Sequence, residues 1–121
     1  MSSHCLVPLS TNSGYTATLS STQNTIKAVT IPGDPQLAHT RPKAYRIRFI
    51  DGDGEAVMGR VGCAVASQAS ALDTTVASDT SLGYFFSNLD DPQPIPTQVT
   101  HLLVASGTAS AKVYITWLYD R

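Results

Sequence analysis

Charge is scarce in this sequence of 121 residues, and the charges that are present nearly balance. Charged residues make up 14% of the chain, and the formal net charge is −1 at pH 7. Soluble domains usually contain about a quarter charged residues, and free-standing nucleic-acid-binding domains usually carry a marked basic excess. The chain has no long run of like charges and no basic terminal arm. Serine and threonine, with 13 and 14 residues, take the place of the missing charges.

Cysteines and long apolar runs are also scarce. Cys5 and Cys63 are far apart and have no zinc-type partners at close spacing, so the sequence has no disulfide framework. Cys63 lies in an alternating apolar stretch, which predicts a buried free thiol. No run of eighteen apolar residues is present, which predicts no membrane span. The first residues lack the basic start and the apolar core of a signal peptide.

Sequence motifs for catalysis are missing as well. The chain contains no nucleophile elbow and no glycine-rich phosphate loop with its lysine. The histidines are scattered, and the neighbouring carboxylates Asp90 and Asp91 fall in a proline-rich stretch that predicts a loop. We therefore predict that the protein is not an enzyme.

Short alternating segments are the main positive signal. Residues 44–50 predict a strand with Tyr45, Ile47 and Phe49 on one face and Arg46 and Arg48 on the other. Residues 57–66 predict a second strand, with two glycines that indicate a bulge or a close backbone approach. An Asp-Gly-rich joint predicts that these two strands form a hairpin.

The end of the chain predicts a second hairpin. Residues 98–105 and 112–119 alternate on either side of a turn at residues 106–110. In the second of these strands one face holds Val113, Ile115, Trp117 and Tyr119. With the weaker segments added, the sequence predicts an all-β protein: an antiparallel β-sandwich or jelly roll of six to eight strands, with at most one short helix. We expect a partly extended arm over residues 1–24 and a single domain over residues 25–121.

The acidic centre "DGDGE" at residues 51–55 allows two interpretations. Alternating carboxylates on Asp51, Asp53 and Glu55 could hold calcium weakly, since calcium prefers six to eight oxygen ligands. Glycine and aspartate also dominate turns for conformational reasons alone. The rest of a calcium-loop pattern is absent, so the primary expectation is a turn, with no other cofactor.

Half of the eight basic residues cluster just before and within the predicted strand at 44–50. They are Arg41, Lys43, Arg46 and Arg48. Such a strand face could contact RNA phosphates without reading base sequence, or it could form salt bridges with neighbouring subunits or with Asp51 and Asp53. The large aromatic residues are candidates for the core or for a subunit interface: Tyr84, Phe85, Phe86, Trp117 and Tyr119.

Two segments resemble the coat proteins of small icosahedral RNA viruses. The first is "KAYRIRFIDGDGEAVMGRVGCAVASQASALDTTVASD", in which Gly59, Val61 and Ala64 match a G-x-V-x-x-A strand of that family, followed by a loop with Asp73 and Asp79. The second, "VTHLLVASGTASAKVYITWLYDR", resembles the closing hairpin of the family's jelly-roll shell domain. The chain is short for that domain and lacks its arginine-rich arm.

The resemblance implies a structural subunit that assembles with copies of itself into a shell and is located in the virion, with RNA as a further partner. It also leaves open a protruding or decoration domain that never meets RNA. The alternative function is a β-sandwich module that binds a glycan or a host receptor. Its expected feature is an exposed Trp or Tyr beside Asp or Asn in a loop, and Tyr84 near Asn88, Asp90 and Asp91 is the candidate.

Overall fold

A computed structural model describes residues 6–7, 14–34, 36–77, 82 and 88–120 of the chain. A single α-helix, α1 (Ala66–Leu72), and a 3-10 turn at Ala38–Thr40 accompany the strands in this part of the chain. The strands are β1 (Leu6–Val7), β2 (Gly14–Thr18), β3 (Lys27–Thr30), β4 (Ala44–Ile50), β5 (Gly59–Ala64), β6 (Asn88–Pro94), β7 (His101–Ser106) and β8 (Lys112–Asp120). The prediction of an all-β sandwich with at most one short helix is confirmed.

The strands form two antiparallel sheets. In the first sheet, β8 pairs with β4 on one side and with β1 and β2 on the other, and β6 pairs with the far edge of β4. In the second sheet, β7 lies between β3 and β5. Parts of the predicted N-terminal arm therefore belong to the first sheet, because β1 and β2 follow each other along the edge of β8.

The strand pairs are nested in sequence. β2 pairs with β8, β3 with β7 and β4 with β6, so the chain folds back on itself like one long hairpin. This long hairpin is then wrapped, so that β8 also pairs with β4 and β7 also pairs with β5. Nested pairing followed by wrapping is the strand order of a jelly roll, a double-sheet fold that contains two Greek keys.

The core lies between the two sheets, where strand alternation directs apolar side chains inward. The predicted inward faces of β4 and β8 are confirmed, because all of their apolar members are buried in one cluster. The second sheet contributes Val29, Leu102 and Val104 to this cluster. A second cluster lies on the outer side of the second sheet, where α1 packs with Ala69 against Leu103 and Ala105. β7 is thus covered on both faces, which explains its continuous apolar sequence.

Both predicted hairpins are wrong as strand pairings. After Ile50, the chain makes one antiparallel bridge to Ala56 and then enters the second sheet as β5. Similarly, β7 lies in the second sheet and β8 in the first. The alternation of residues shows which face of a strand is apolar, but it does not show which strand lies beside it. Both turns therefore carry the chain from one sheet to the other.

The stretch at residues 90–96, predicted as a loop because of its prolines, mostly forms the strand β6. It pairs with β4 alone among the described strands, which makes it an edge strand. Prolines are tolerated at an edge, since the missing N–H group would face away from the sheet. The register between β4 and β6 shifts between Tyr45 and Ile47, so Asp90, Asp91 and Pro92 of β6 lie across from Arg46 alone.

The glycines of β5 confirm the predicted close approach. A Cβ atom on Gly59 would lie 2.5 Å from ring atoms of Phe49, which is completely buried. A Cβ atom on Gly62 would lie 2.7 Å from a methyl carbon of Leu82. The β5 backbone therefore packs directly against side chains on both of its faces.

Candidate nucleic-acid interface

The acidic segment at residues 51–55 is a turn held by its own first residue. Oδ1 of Asp51 accepts the backbone N–H groups of Asp53 and Glu55, each at 2.9 Å. The backbone N–H of Asp51 donates to the carbonyl oxygen of Glu55 at 2.9 Å, and that of Gly54 donates to the Asp51 carbonyl at 3.2 Å. Gly54 has φ = 84°, a conformation that favours glycine. The turn is therefore confirmed.

The carboxylates of this turn do not form a group suited to a metal ion. No group of three histidine, cysteine, aspartate or glutamate side chains suited to a metal ion occurs among the described residues. The candidate calcium set of Asp51, Asp53 and Glu55 is corrected accordingly, because Oδ1 of Asp51 already serves as the internal acceptor of the turn.

Replacement of Asp51 by alanine is expected to lower the free energy of unfolding by about 1 kcal/mol, because two backbone N–H groups lose their acceptor and only water replaces it. Urea unfolding followed by circular dichroism measures this change. Asp53→Ala is the matched control, since its exposed carboxylate makes no hydrogen bond within the described chain, and we expect a change within about 0.5 kcal/mol. A saturable rise in melting temperature with calcium, abolished by Asp51→Asn with Asp53→Asn, would show that residues 51–55 bind calcium and are not only a turn.

Arg41 is not a surface residue, which corrects its assignment as an RNA-contact candidate. It retains only 6% exposure, and its guanidinium donates to the carbonyl oxygens of Thr97, at 2.7 Å, and of Val99. These bonds join the segment before β4 to the segment between β6 and β7. A buried arginine is stable only with such partners, so the role of Arg41 lies in the fold.

Lys43 is half-buried and has interactions of its own. Its backbone is held on both sides, because its N–H donates to the carbonyl of Leu118 and its carbonyl accepts the N–H of Ile95. These bonds tie Lys43, which directly precedes β4, to β8 and to the residue after β6.

Arg46 and Arg48 are exposed on the outer face of the first sheet, as the alternation predicts. Direct pairing places Thr116 of β8 opposite Arg46, Tyr114 opposite Arg48 and Lys112 opposite Ile50. Beyond β8, Thr16 of β2 lies opposite Tyr114. We call this surface the basic face and define it by Arg46, Arg48, Lys112, Tyr114, Thr116 and Thr16.

The cations of the basic face are not paired with a carboxylate of the described chain. The side chains of Arg46, Arg48 and Lys112 form no ion pair and no hydrogen bond with the described residues. Lys112 and Tyr114 were not predicted as members of this surface. Alternation along β8 predicts that Lys112 and Tyr114 lie on the other face of the strand from Trp117. Only the pairing of β8 with β4 brings them beside the two arginines.

The aromatic candidates divide according to what the structure describes. Trp117 and Tyr119 retain 3% and 4% exposure and belong to the core between the sheets. Tyr84, Phe85 and Phe86 lie outside the described residues. The described aromatic candidates are therefore core residues of this chain.

The pKa of Tyr45 in the first sheet is affected by Cys63 in the second sheet. Burial, together with the nearby Cys63 thiolate, raises the pKa of Tyr45 to about 12. Cys63 is free, as predicted, but the residue is exposed and not buried. Partial burial of its thiol nevertheless raises the thiol pKa. The thiolate is the nucleophilic form of cysteine, so the raised pKa disfavours nucleophilic chemistry at neutral pH.

Among the described residues, no helix is long and apolar enough to cross a bilayer. Comparison of the chain with protein-family models, with curated proteins and with solved structures finds no match.

Proposed function

We propose that this protein is a structural coat subunit that assembles with copies of itself into a closed viral shell, with its basic face directed toward enclosed RNA. The observation that carries the proposal is the nested strand order, in which β2 pairs with β8 and β3 with β7. Jelly rolls of this kind serve as capsid domains, and also as lectins and cupins.

A fold shared by several classes of protein does not decide among them, so the surface provides the second support. Arg46, Arg48 and Lys112 are gathered on one sheet face, although the whole chain has a net charge of −1. A cationic face on a nearly neutral subunit suits a polyanion on one side of a shell. The glycan-binding alternative rests on Tyr84 and on the side chains of Asn88, Asp90 and Asp91, which lie outside the described part of the chain.

Assembly of this kind needs contacts that repeat around a closed symmetry. A stable contact buries about 1,000 Å² or more of total surface. The low charge content of 14% favours such contacts, because fewer ions must be stripped of water when two copies meet.

The purified protein is expected to form particles far larger than a 12.9 kDa monomer. Sedimentation velocity and electron microscopy test this expectation together, because the first measures mass and the second distinguishes shells of one diameter from irregular aggregates. Measurements across pH and salt and at several protein concentrations complete the series. A chain that stays monomeric under all these conditions, or that forms only polydisperse aggregates, would exclude the coat function and favour the binding module.

A further inference from the structure

We infer that the basic face binds single-stranded nucleic acid by two separate contacts: its cations hold phosphates, and the ring of Tyr114 stacks on a base. The inference rests on the proposed function, since it gives the enclosed RNA a defined place on the subunit. It extends that function by naming an aromatic contact and a preference for unpaired bases.

The position of Tyr114 is the first observation. Its strand neighbours on the same face are Lys112 and Thr116, and its cross-strand neighbours are Arg48 and Thr16. Directly opposite residues in an antiparallel sheet have Cβ atoms about 4.5–5.5 Å apart. An aromatic ring therefore lies within reach of a guanidinium on one side and is bordered by small hydroxyl side chains that leave space above the sheet.

The surroundings of the ring are the second observation. Tyr114 is only partly buried, and it belongs to neither apolar cluster of the described chain, unlike Tyr45, Trp117 and Tyr119 in the same sheet. Its hydroxyl group makes no hydrogen bond with the described residues. Packing of the core therefore does not account for an aromatic residue at this position, whereas stacking on a base would.

The spacing of the cations is the third observation. Arg46 and Arg48 are two residues apart on one strand, which separates them by about 6.6 Å. Successive phosphates of one nucleic-acid strand have a similar spacing, so the two side chains can follow a single backbone. Lys112 lies one row further along the same face, opposite Ile50. An aromatic platform beside a cationic track is the usual design of proteins that bind single strands without reading sequence.

Acidic residues adjoin this surface where β4 ends and where β6 pairs with β4. Asp51 directly follows β4, and its carboxylate is turned into the 51–55 turn. Asp90 and Asp91 lie in the irregular part of β6, beside β4.

The test compares two ligands of equal length and charge: a short labelled oligouridylate and the corresponding chain of abasic sites. Fluorescence anisotropy measures binding of each to the full chain at low and at moderate salt. Tyr114→Thr, which keeps a strand-forming residue, is expected to weaken oligouridylate binding by about 5- to 140-fold, the range that one stacked base contributes. Its binding of the abasic chain is expected to stay unchanged, and Tyr114→Phe is expected to bind both ligands like the parent.

Arg46→Gln with Arg48→Gln is the complementary variant. It is expected to weaken the binding of both ligands and to reduce the slope of log affinity against log salt by about 0.7 for each lost phosphate contact. Thermal melting of every variant verifies that the fold is intact. Equal weakening of both ligands by Tyr114→Thr would overturn the stacking role, and so would a parent that binds neither ligand.

Assembly is scored separately, so that the two proposals can fail independently. Particles that form normally but show no base-dependent binding would refute this inference and leave the coat function standing. Base-dependent binding by a chain that never assembles would support the inference and refute the shell. Loss of particles in the double arginine variant, with nucleic acid per remaining particle unchanged, would assign the face to a second copy of the chain and overturn the inference.

Discussion

Replacing Trp117 by alanine is expected to lower the free energy of unfolding by about 3–5 kcal/mol. The indole lies in the middle of β8, retains 3% exposure and is paired directly across from Tyr45. β8 is an interior strand of the first sheet, with β4 on one side and β1 and β2 on the other, so a cavity at this position weakens the packing of β8 against β4. A loss of this size is a large part of the 5–15 kcal/mol that stabilises a typical domain.

Urea unfolding followed by circular dichroism measures the effect of Trp117→Ala without needing the indole as a fluorophore. Lys112→Ala on the same strand is the control, because its side chain is exposed on the opposite face and the expected change is within about 0.5 kcal/mol. Trp117→Phe keeps an aromatic ring but reduces its size, so its smaller expected loss of stability separates the effect of a smaller ring from that of removing the ring. A Trp117→Ala protein that melts with the parent would show that the ring does not lie in the core.

Replacing Arg41 by methionine is expected to lower the free energy of unfolding by about 3 kcal/mol, at about 1.5 kcal/mol for each of two charge-assisted hydrogen bonds. Methionine fills a similar space but leaves the carbonyls of Thr97 and Val99 without the donor they now have. The stability of Arg41→Lys is expected to lie between that of the parent and that of Arg41→Met. An ammonium group keeps the charge but lacks the planar fork with which a guanidinium reaches two carbonyls.

Arg46→Met is the matched control for Arg41, since it makes the same chemical change on an exposed strand position. It is expected to change stability by no more than about 0.5 kcal/mol while weakening nucleic-acid binding. Chemical denaturation of both variants under the same conditions provides the comparison. Equal stability of the two variants would show that burial of Arg41 does not contribute to the fold.

The alternation of apolar and polar residues along the strands accounts for most of the predictions that the structure confirms. In β4 and β8 the period of two separates inward apolar residues from outward polar ones, and the structure buries Phe49 and Trp117 while exposing Arg46. This succeeded because one face of each strand is covered and the other faces solvent. The all-β class followed from the same signal, and the glycines of β5 correctly indicated a close approach.

The local sequence pattern could not predict which strands pair with each other. A turn between β4 and β5 looks the same in sequence whether it closes a hairpin or changes sheet, and only the packing of the whole chain decides. Arg41 and Arg46 also look alike as members of one basic cluster, although one is buried against backbone carbonyls. Similarly, the association of Tyr114 with Arg48 depends on a pairing between strands far apart in the chain.

The nested pairing also governs how the chain can fold. β2 and β3 have no partner nearby in sequence, because β8 and β7 occur only after β4, β5 and β6 have been made. Closing such long loops costs entropy before any contact is gained, and domains dominated by non-local pairs fold in about milliseconds to seconds. During synthesis, early strands therefore wait with open edges that can pair with other chains. For the coat subunit proposed above, which a shell needs in many copies, folding must outpace premature association, and the topology limits the supply of folded chains.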